Sequence, residues 1–296
     1  MLRRDFMRTA LVTAPAIAAA GTARAQSTAM SDAAGQARIF QLAAFTARRF
    51  AGNPASVMLF NRFPEDAVLQ GLSAENNHAE TAFLVPEGQD YRIRWFTPTV
   101  EVPLCGHATL ASAAVVMERL SPGRQSVVFH SPSGPLPVRR DGTRYVMDFP
   151  VRTLTPAATP PAGLAQALGV PVKEAIWDGF NFIARLSDAG TVRTLSPDLA
   201  AIAKLPYKGV VVTAPGDQGY DCVSRYFAPA KGIPEDPVTG GAHTALVPYW
   251  AKQLGKTEIL AFQASPRGGE LHCRLAGHRV ELAGSCIFYL EGLAQW

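Results

Sequence analysis

Outside its first 25 residues, the chain has no hydrophobic run of 18 or more residues and no marked excess of either charge. The 296 residues include 28 Lys and Arg against 24 Asp and Glu, but four of the arginines and one aspartate lie in the first 25 residues. The remaining chain therefore carries 24 basic and 23 acidic side chains. The missing hydrophobic run excludes a membrane-spanning helix, and the balanced charge removes the basic surface that nucleic-acid binding requires.

The sequence also lacks the glycine-rich motifs that hold nucleotide phosphates and the paired cysteines that bind zinc or exchange electrons. Neither G-x-G-x-x-G nor a Walker A motif occurs, so we predict no nucleotide cofactor. None of the cysteines forms a C-x-x-C pair; they are Cys105, Cys222, Cys273 and Cys286. Export would allow these thiols to oxidise in pairs, but Cys105 lies in a glycine-containing loop and we expect it to stay free.

One short segment contains residue types that bind metals. His272 stands beside Cys273, and His278 follows closely. The alternation of Leu271, Cys273 and Leu275 is more typical of the apolar face of a strand. We therefore predict no metal site.

The N-terminus has the layout of an export signal. Arg3 and Arg4 precede an alanine-rich stretch, and an Ala-x-Ala sequence ends at Ala25. This order fits a twin-arginine signal peptide over residues 1–25. We predict a mature start at Gln26 and a periplasmic location, the alternative being a tail that is never cleaved.

The most informative feature is an internal repeat. The segments Arg94–Pro98 and Glu101–Thr109 return as Arg225–Pro229 and Glu235–His243, with Phe96 and Phe227 lying 131 residues apart. The common pattern is R-[WY]-F-x-P followed by E-x-P-[LV]-[CT]-G-x-A. A single repeat at about half of the chain length predicts two similar domains rather than a solenoid.

Each copy of the repeat predicts a strand, a glycine-containing loop and then a helix. The helices are expected at Ala108–Leu120 and His243–Leu254, after Gly106 and Gly240. Unpaired N–H groups at a helix start favour an anion. One such loop fits a simple capped helix, but two matching loops favour a small anionic ligand between the domains.

Hydrophobic periodicity and turn residues predict the remaining elements. Residues Gly52–Pro54 are expected to form a turn, and residues 118–134 contain the end of a helix and a linker. Further strands and helices are predicted at Ile39–Phe45, Ser56–Phe60, Pro64–Asn76 (helix), Thr81–Val85, Leu136–Val138, Tyr145–Phe149, Ala162–Leu168 (helix), Pro197–Ala203 (helix), Gly209–Ala214, Arg279–Leu282 and Ser285–Leu290.

Six motifs together resemble the PhzF family, over about Ile39 to Gly292. They are Gly52–Ala55, Glu80–Phe83, Phe96–Pro98, Glu101–Thr109, Asp236–Gly240 and Gln263–Gly269. The resemblance implies an α+β fold of the diaminopimelate epimerase type, with two pseudo-symmetric domains, each a rolled, mostly antiparallel sheet around a central helix. It also implies a cofactor-free homodimer. We expect an N-terminal domain of residues 38–130 joined by a C-terminal strand at about 284–296, and a C-terminal domain of residues 131–283.

The resemblance also implies which residues act. In the family's named member, which isomerises trans-2,3-dihydro-3-hydroxyanthranilate, one glutamate moves the proton, and Glu80 matches it. His107 and Asp236 match the assisting residues. The family usually has Gly-Ser-Ala-His where this chain has Gly240–His243, so a hydroxyl is missing at Gly241. The expected substrate-binding residues are Gly106, Cys105, Thr239, Gly240, Gly241 and Arg267.

General chemistry supports a single acid–base carboxyl but leaves several roles open. A desolvated glutamate has a raised pKa and serves as base and acid, whereas most glutamates lie on the surface. A two-thiol mechanism is disfavoured, because the repeat aligns Cys105 with Thr239 and a hydroxyl is too weakly acidic. His107 serves as a general acid or orients substrate together with Asp236.

Three further roles stay open. Cys105 has a single-thiol role or is a small buried residue of the loop. Arg267 binds a substrate carboxylate or forms a structural ion pair. His243 packs at a helix start or supports the site.

We therefore expect an exported, cofactor-independent isomerase of a small carboxylate-bearing metabolite. The alternative is an exported metabolite-binding protein of the same fold without turnover.

Overall fold

The computed structural model describes residues 35–296. The predicted signal peptide and its cleavage site lie outside the described residues. No helix within residues 35–296 is long and apolar enough to cross a membrane.

The first half of the described chain alternates strands with two helices. Its elements are β1 (Gln36–Ala44), β2 (Asn53–Leu59), α1 (Asp66–Asn76), β3 (Glu80–Glu87), β4 (Asp90–Phe96), β5 (Glu101–Val102), α2 (Gly106–Val115), β6 (Ser126–Ser131), β7 (Gly134–Asp141) and β8 (Arg144–Pro150).

The second half follows the same order with shorter outer helices. Its elements are β9 (Thr155–Pro156), α3 (Leu164–Leu168), β10 (Glu174–Trp177), β11 (Phe182–Arg185), α4 (Ala189–Thr194), α5 (Leu199–Ala203), β12 (Val210–Pro215), β13 (Cys222–Ala228), β14 (Ile233–Asp236), α6 (Gly240–Leu254), β15 (Glu258–Gln263), β16 (Gly269–Ala276), β17 (Arg279–Gly284) and β18 (Cys286–Gln295).

Strand pairing repeats between the two halves. In the first, β1–β2 is antiparallel, β2–β3 parallel, β3–β4 antiparallel and β4–β6 parallel, and β6, β7 and β8 pair antiparallel. In the second, β10 to β13 and β15 to β17 pair in the same succession. Strand β8 pairs with β17 and joins the halves, and β18 returns to pair with β1. The duplication expected from the sequence is thus confirmed in the topology.

The repeat unit is longer than the sequence indicated. Residues 126–131 form β6, which pairs with β7, so the interpretation of residues 118–134 as containing a linker was wrong there. The Ser-Pro-Gly sequence at residues 121–123, which suggested a linker, forms only the turn before β6. Val127 and Phe129 of β6 are buried. The pairing pattern repeats with a break after Pro150 rather than after residue 130, while the division into two domains stays a prediction.

The two central helices are buried on nearly every side. All residues of α2 after Gly106 are buried, which is the pattern of a helix surrounded by sheet. Helix α2 starts two residues earlier than predicted, and its last turn, Val116–Leu120, is π-helical. Helix α6 also begins earlier than predicted and contains Pro248. The described part of the chain therefore places two buried helix starts in its interior.

The repeated Arg and Glu of the motif form the same ion pair in both halves. Arg94 Nε and Nη2 lie 2.7 Å from the two carboxylate oxygens of Glu101. Arg225 makes the matching pair of bonds to Glu235, at 2.7 and 2.8 Å. Two parallel hydrogen bonds fix the orientation of both the arginine and the glutamate side chain. These pairs hold each short strand, β5 or β14, that leads into a central helix.

Candidate active site

The starts of α2 and α6 are joined through one buried side chain. Asn53 is fully buried, and its Nδ2 atom lies 3.2 Å from His107 Nδ1 in the first half. The same atom donates to Asp236 Oδ1 at 2.7 Å and to the carbonyl of Val238 at 2.9 Å in the second half. Asn53 therefore brings His107 and Asp236, both expected from the sequence, into one cluster.

Glu80 is the first residue of β3 and points toward the start of α2. It is the register partner of Ala55, which packs in the core around α2, so its side chain lies on that face of the sheet. Its Oε2 atom lies 3.4 Å from His107 Nε2, and its side chain is 14% exposed. The Cys105 thiol donates a hydrogen bond to it. The structure thus places Glu80, Cys105 and His107 together.

The environment of Glu80 favours its protonated form. Burial raises its pKa to about 8, the negative charge of Asp236 acts in the same direction, and the bond from Cys105 opposes the shift. Burial together with the nearby Glu80 also raises the pKa of Cys105 well above its ordinary value. At neutral pH Glu80 therefore exchanges a proton readily, whereas Cys105 remains a thiol.

His107 is neutral in this cluster. Burial lowers its pKa to about 3, opposed by a hydrogen bond to the backbone of Pro54. Its Nε2 atom is buried and has no hydrogen-bond partner among residues 35–296. A neutral ring with one free nitrogen is suited to orienting a substrate through a hydrogen bond.

Asp236 is held by the residues of the second loop. Its Oδ2 atom accepts from the Thr239 hydroxyl at 2.6 Å, and its backbone carbonyl accepts from Gln263 Nε2 at 2.7 Å. Burial raises its pKa to about 6, and the bonds from Thr239 and Asn53 oppose this shift. Gln263 Oε1 also accepts from the Thr239 backbone N–H, so it fixes the whole loop.

Asn53 and Gln263 were not predicted as site residues. The sequence analysis assigned Asn53 to a turn, but it begins β2, and of residues 52–54 only Gly52, with φ of 71°, lies before the strand. Both residues lie in motifs that carry the family resemblance. A polar side chain within a glycine- and proline-rich motif was the available signal, but only tertiary contacts show what it bonds.

The two loops place Cys105 and Thr239 in equivalent positions before α2 and α6, as aligned from the repeat. The Thr239 hydroxyl is committed to Asp236. Among the described cysteines all four are free, including Cys105. The two equivalent positions therefore hold one thiol and one hydroxyl, not a pair of opposed thiols.

The second half has no counterpart of Glu80. Thr81 pairs with Phe96 and Val210 pairs with Phe227, so Gly209 occupies the equivalent position. A Cβ there would lie 2.4 Å from the Tyr226 hydroxyl. The duplicated fold therefore builds one acid–base carboxyl rather than two.

The loop glycines leave space at the helix starts. A Cβ added at Gly106 or Gly240 would make only ordinary contacts, and one added at Gly241 would meet nothing within 4 Å. Close packing within the protein therefore does not require glycine at these positions. Glycine at a helix start is the residue that hinders the approach of a ligand to the backbone N–H groups least.

Arg267 and His243 lie at the border of this cluster. Arg267 donates to the carbonyls of Gly52 at 2.8 Å and Ala51 at 3.0 Å, so it braces the segment before Asn53 without an ion pair. His243 Nδ1 lies 2.8 Å from the Thr239 carbonyl, and burial lowers the pKa of His243 to about 4. Substrate binding by Arg267 stays a prediction.

One group of side chains has the donors for a metal ion. The ligand atoms of Glu80, Cys105 and His107 all lie within 4.8 Å of one another. The same three groups form the acid–base cluster described above. His272, by contrast, contacts Glu270, and Cys273 is buried in its strand as predicted.

A duplicated α+β fold with a largely buried glutamate, Glu80, near the starts of its two central helices defines a class of epimerase-like isomerases. Residues 42–292 match the model of the PhzC-PhzF phenazine biosynthesis-like family, and the chain belongs to that family. An isomerase of Pseudomonas aeruginosa, otherwise uncharacterized, is 46% identical over 257 residues, which are 87% of this chain and 98% of the relative. The protein is accordingly an isomerase.

Solved structures agree with this assignment. A PhzF family protein of Enterococcus faecalis is 41% identical with a TM-score of 0.83, covering 88% of this chain and 100% of that one. A hydroxyproline epimerase of Agrobacterium vitis is 11% identical with a TM-score of 0.56, covering 88% and 93%. The second likeness concerns the fold alone and confirms the expected epimerase-type architecture.

Proposed function

We propose that the protein shifts a proton within a small carboxylate-bearing metabolite, by isomerisation or epimerisation, without a cofactor. Glu80 takes the proton from carbon and returns it to another position of the same molecule, or to the same carbon. The position of Glu80, only 14% exposed and 3.4 Å from His107, carries the proposal. Burial raises its pKa to about 8, and such a carboxyl is both an effective base and an effective acid near neutral pH.

The starts of α2 and α6 supply the anion-binding part of the proposed mechanism. The N–H groups at Gly106, Gly240 and Gly241 belong to the first turns of α2 and α6, and in the proposed mechanism they stabilise the negative charge that develops on the substrate. His107 and Asp236 orient the substrate through hydrogen bonds. Burial of the cluster excludes water, which strengthens these interactions.

Exchange of substrate hydrogen with solvent tests the proposal. A panel of small amino and hydroxy acids in deuterated buffer is expected to include a compound that takes up deuterium. Glu80→Gln is expected to fold and to slow this uptake by about 10²- to 10⁴-fold. Wild-type kcat/KM is expected to rise with pH toward pH 8, because the base must be deprotonated.

Two results would contradict this assignment. Unchanged exchange in Glu80→Gln would remove the base. Calorimetric binding of a metabolite without exchange in any bound compound would instead favour a binding protein without turnover.

We also propose that the protein acts in the periplasm as a homodimer, as its N-terminal sequence and its family resemblance led us to expect. Intact-mass measurement of native protein should show loss of residues 1–25, and sedimentation should give twice the mature mass. A retained N-terminus or a monomer would contradict the respective part.

A further inference from the structure

A cavity of about 320 Å³ lies beside the candidate active site and has a one-sided charge distribution. Three of its lining residues are basic, namely Arg49, His78 and Arg267, and none is Asp or Glu. The volume is at the lower end of what small-molecule sites enclose. A cavity with cationic walls and no acid favours an anion.

The basic groups keep donors free for a ligand. Arg49 is exposed, and its guanidinium makes no ion pair or hydrogen bond with any part of the chain that the structure describes. Arg267 uses Nε and Nη2 on backbone carbonyls and keeps Nη1 available. His78 Nδ1 bonds to Ser56 Oγ at 2.8 Å, which leaves Nε2 for other contacts. All three groups line the same cavity. Burial lowers the pKa of His78, and the nearby Arg267 charge acts in the same direction.

The remaining wall is apolar and partly aromatic. Phe50 is 80% exposed and Tyr289 is 70% exposed, and both line the cavity together with Pro54 and Ile287. Aromatic side chains this exposed leave apolar surface in contact with water, and a ligand that covers them removes that surface from water. A flat apolar body placed against them would bury this surface while its charge meets the arginines.

The cavity lies on the other face of the sheet from Glu80. Along β2, Ala55 faces the core around α2, whereas Ser56, which bonds to His78, points to the opposite face. Neither Glu80 nor any other member of the acid–base cluster lines the cavity. Arg267 connects the cavity to the candidate active site, because it lines the cavity and donates hydrogen bonds to the carbonyls of the two residues before Asn53.

We propose that this cavity is a second ligand site, for a small organic carboxylate with a flat apolar body. Arg49 and Arg267 bind the carboxylate, and Phe50 and Tyr289 cover the apolar part. The site is independent of proton transfer at Glu80, so it stands or falls separately from the proposed function.

Benzoate is the probe for this site, and titration calorimetry of the full chain measures its binding. Arg49→Gln is expected to weaken benzoate binding by about fivefold, the scale of one exposed ion pair. Tyr289→Ala should also weaken it. Arg62→Gln removes an exposed arginine outside the cavity and should leave the dissociation constant unchanged. Inorganic phosphate, which has no apolar body, should bind more weakly than benzoate.

Glu80→Gln distinguishes the two sites. This variant is expected to bind benzoate as the wild type does. Loss of binding in Glu80→Gln with normal binding in Arg49→Gln would place benzoate in the active site and overturn the proposal. Absence of benzoate binding up to its solubility limit would overturn it as well, as expected if a second copy of the chain covers the cavity. Phosphate binding as tight as benzoate binding would contradict the proposal that Phe50 and Tyr289 contribute to binding.

Discussion

The side-chain amide of Asn53 donates a 2.7 Å hydrogen bond to Asp236 across the two halves of the duplicated fold. The same nitrogen lies 3.2 Å from His107, so one residue sets the distance between the two groups expected to orient the substrate. The loop that carries His107 cannot by itself set the distance to Asp236, because the two residues belong to different copies of the repeat.

Asn53→Ala is expected to fold with reduced stability and to slow solvent deuterium uptake by about 10²-fold, because His107 and Asp236 lose their shared partner. The pKa of Asp236 should rise above about 6, since the bond from Asn53 now lowers it. The pH profile of exchange would report this shift. Asn76→Ala, which removes a bond to Thr81 away from the cluster, should leave the profile unchanged. An unshifted profile in Asn53→Ala would show that Asn53 serves only the fold.

Glu80→Gln should become more stable relative to the wild type as the pH rises. The ordinary pKa of 4.5 is raised to about 8 in the folded state, so between these values the folded protein retains a proton that the unfolded chain has lost. Wild-type stability therefore falls over that range, and glutamine cannot ionise. Melting temperatures at pH 5 and pH 9 measure the growing difference. Glu75→Gln, on the exposed face of α1, should show a constant difference over the same pH range. A constant difference for Glu80→Gln would contradict the raised pKa.

The two repeated ion pairs should differ in their contribution to stability. Arg225 is buried and also donates to the carbonyl of Leu195, so Glu235→Gln leaves a buried charge without its partner and should lower the free energy of unfolding by about 3 kcal/mol. Glu101→Gln, on the exposed pair, should lower it by less than about 1 kcal/mol. Urea unfolding of both variants measures the difference. Equal losses would show that burial of the second pair is unimportant.

Glycine substitutions should separate a constrained turn from an open loop. Gly52 has φ of 71°, and an added Cβ would lie 2.3 Å from the Ala44 carbonyl oxygen. Gly52→Ala should therefore lower stability by roughly 2 kcal/mol or more. Gly241→Ser has free space and restores the hydroxyl usual in the family, with a change within about 0.5 kcal/mol. Thermal unfolding tests both. A strongly destabilised Gly241→Ser would mean that the space before α6 is not available to a ligand.

Sequence patterns predicted much of the local structure. The periodic and glycine-bounded segments for β1, α1, β12 and α6 were located correctly within a few residues. Four elements of the second half, β10, β11, α4 and β15, were not predicted. Two errors fell where a strand follows a turn signal, at Asn53 and at β6. Turn residues report only the local backbone, whereas strand formation there depends on a partner from elsewhere in the chain.

The sequence by itself determined the duplication and the presence of two central helices after glycine-containing loops, because repeated motifs are visible along the chain. The family resemblance singled out Glu80 as the expected base. Tertiary structure decided which groups meet. Asn53 bridges the copies, Gln263 fixes the second loop, and Arg267 faces a separate cavity. Contacts between residues such as Asn53 and Asp236, which lie 183 positions apart, depend on strand pairing across both halves, and no local pattern contains that information.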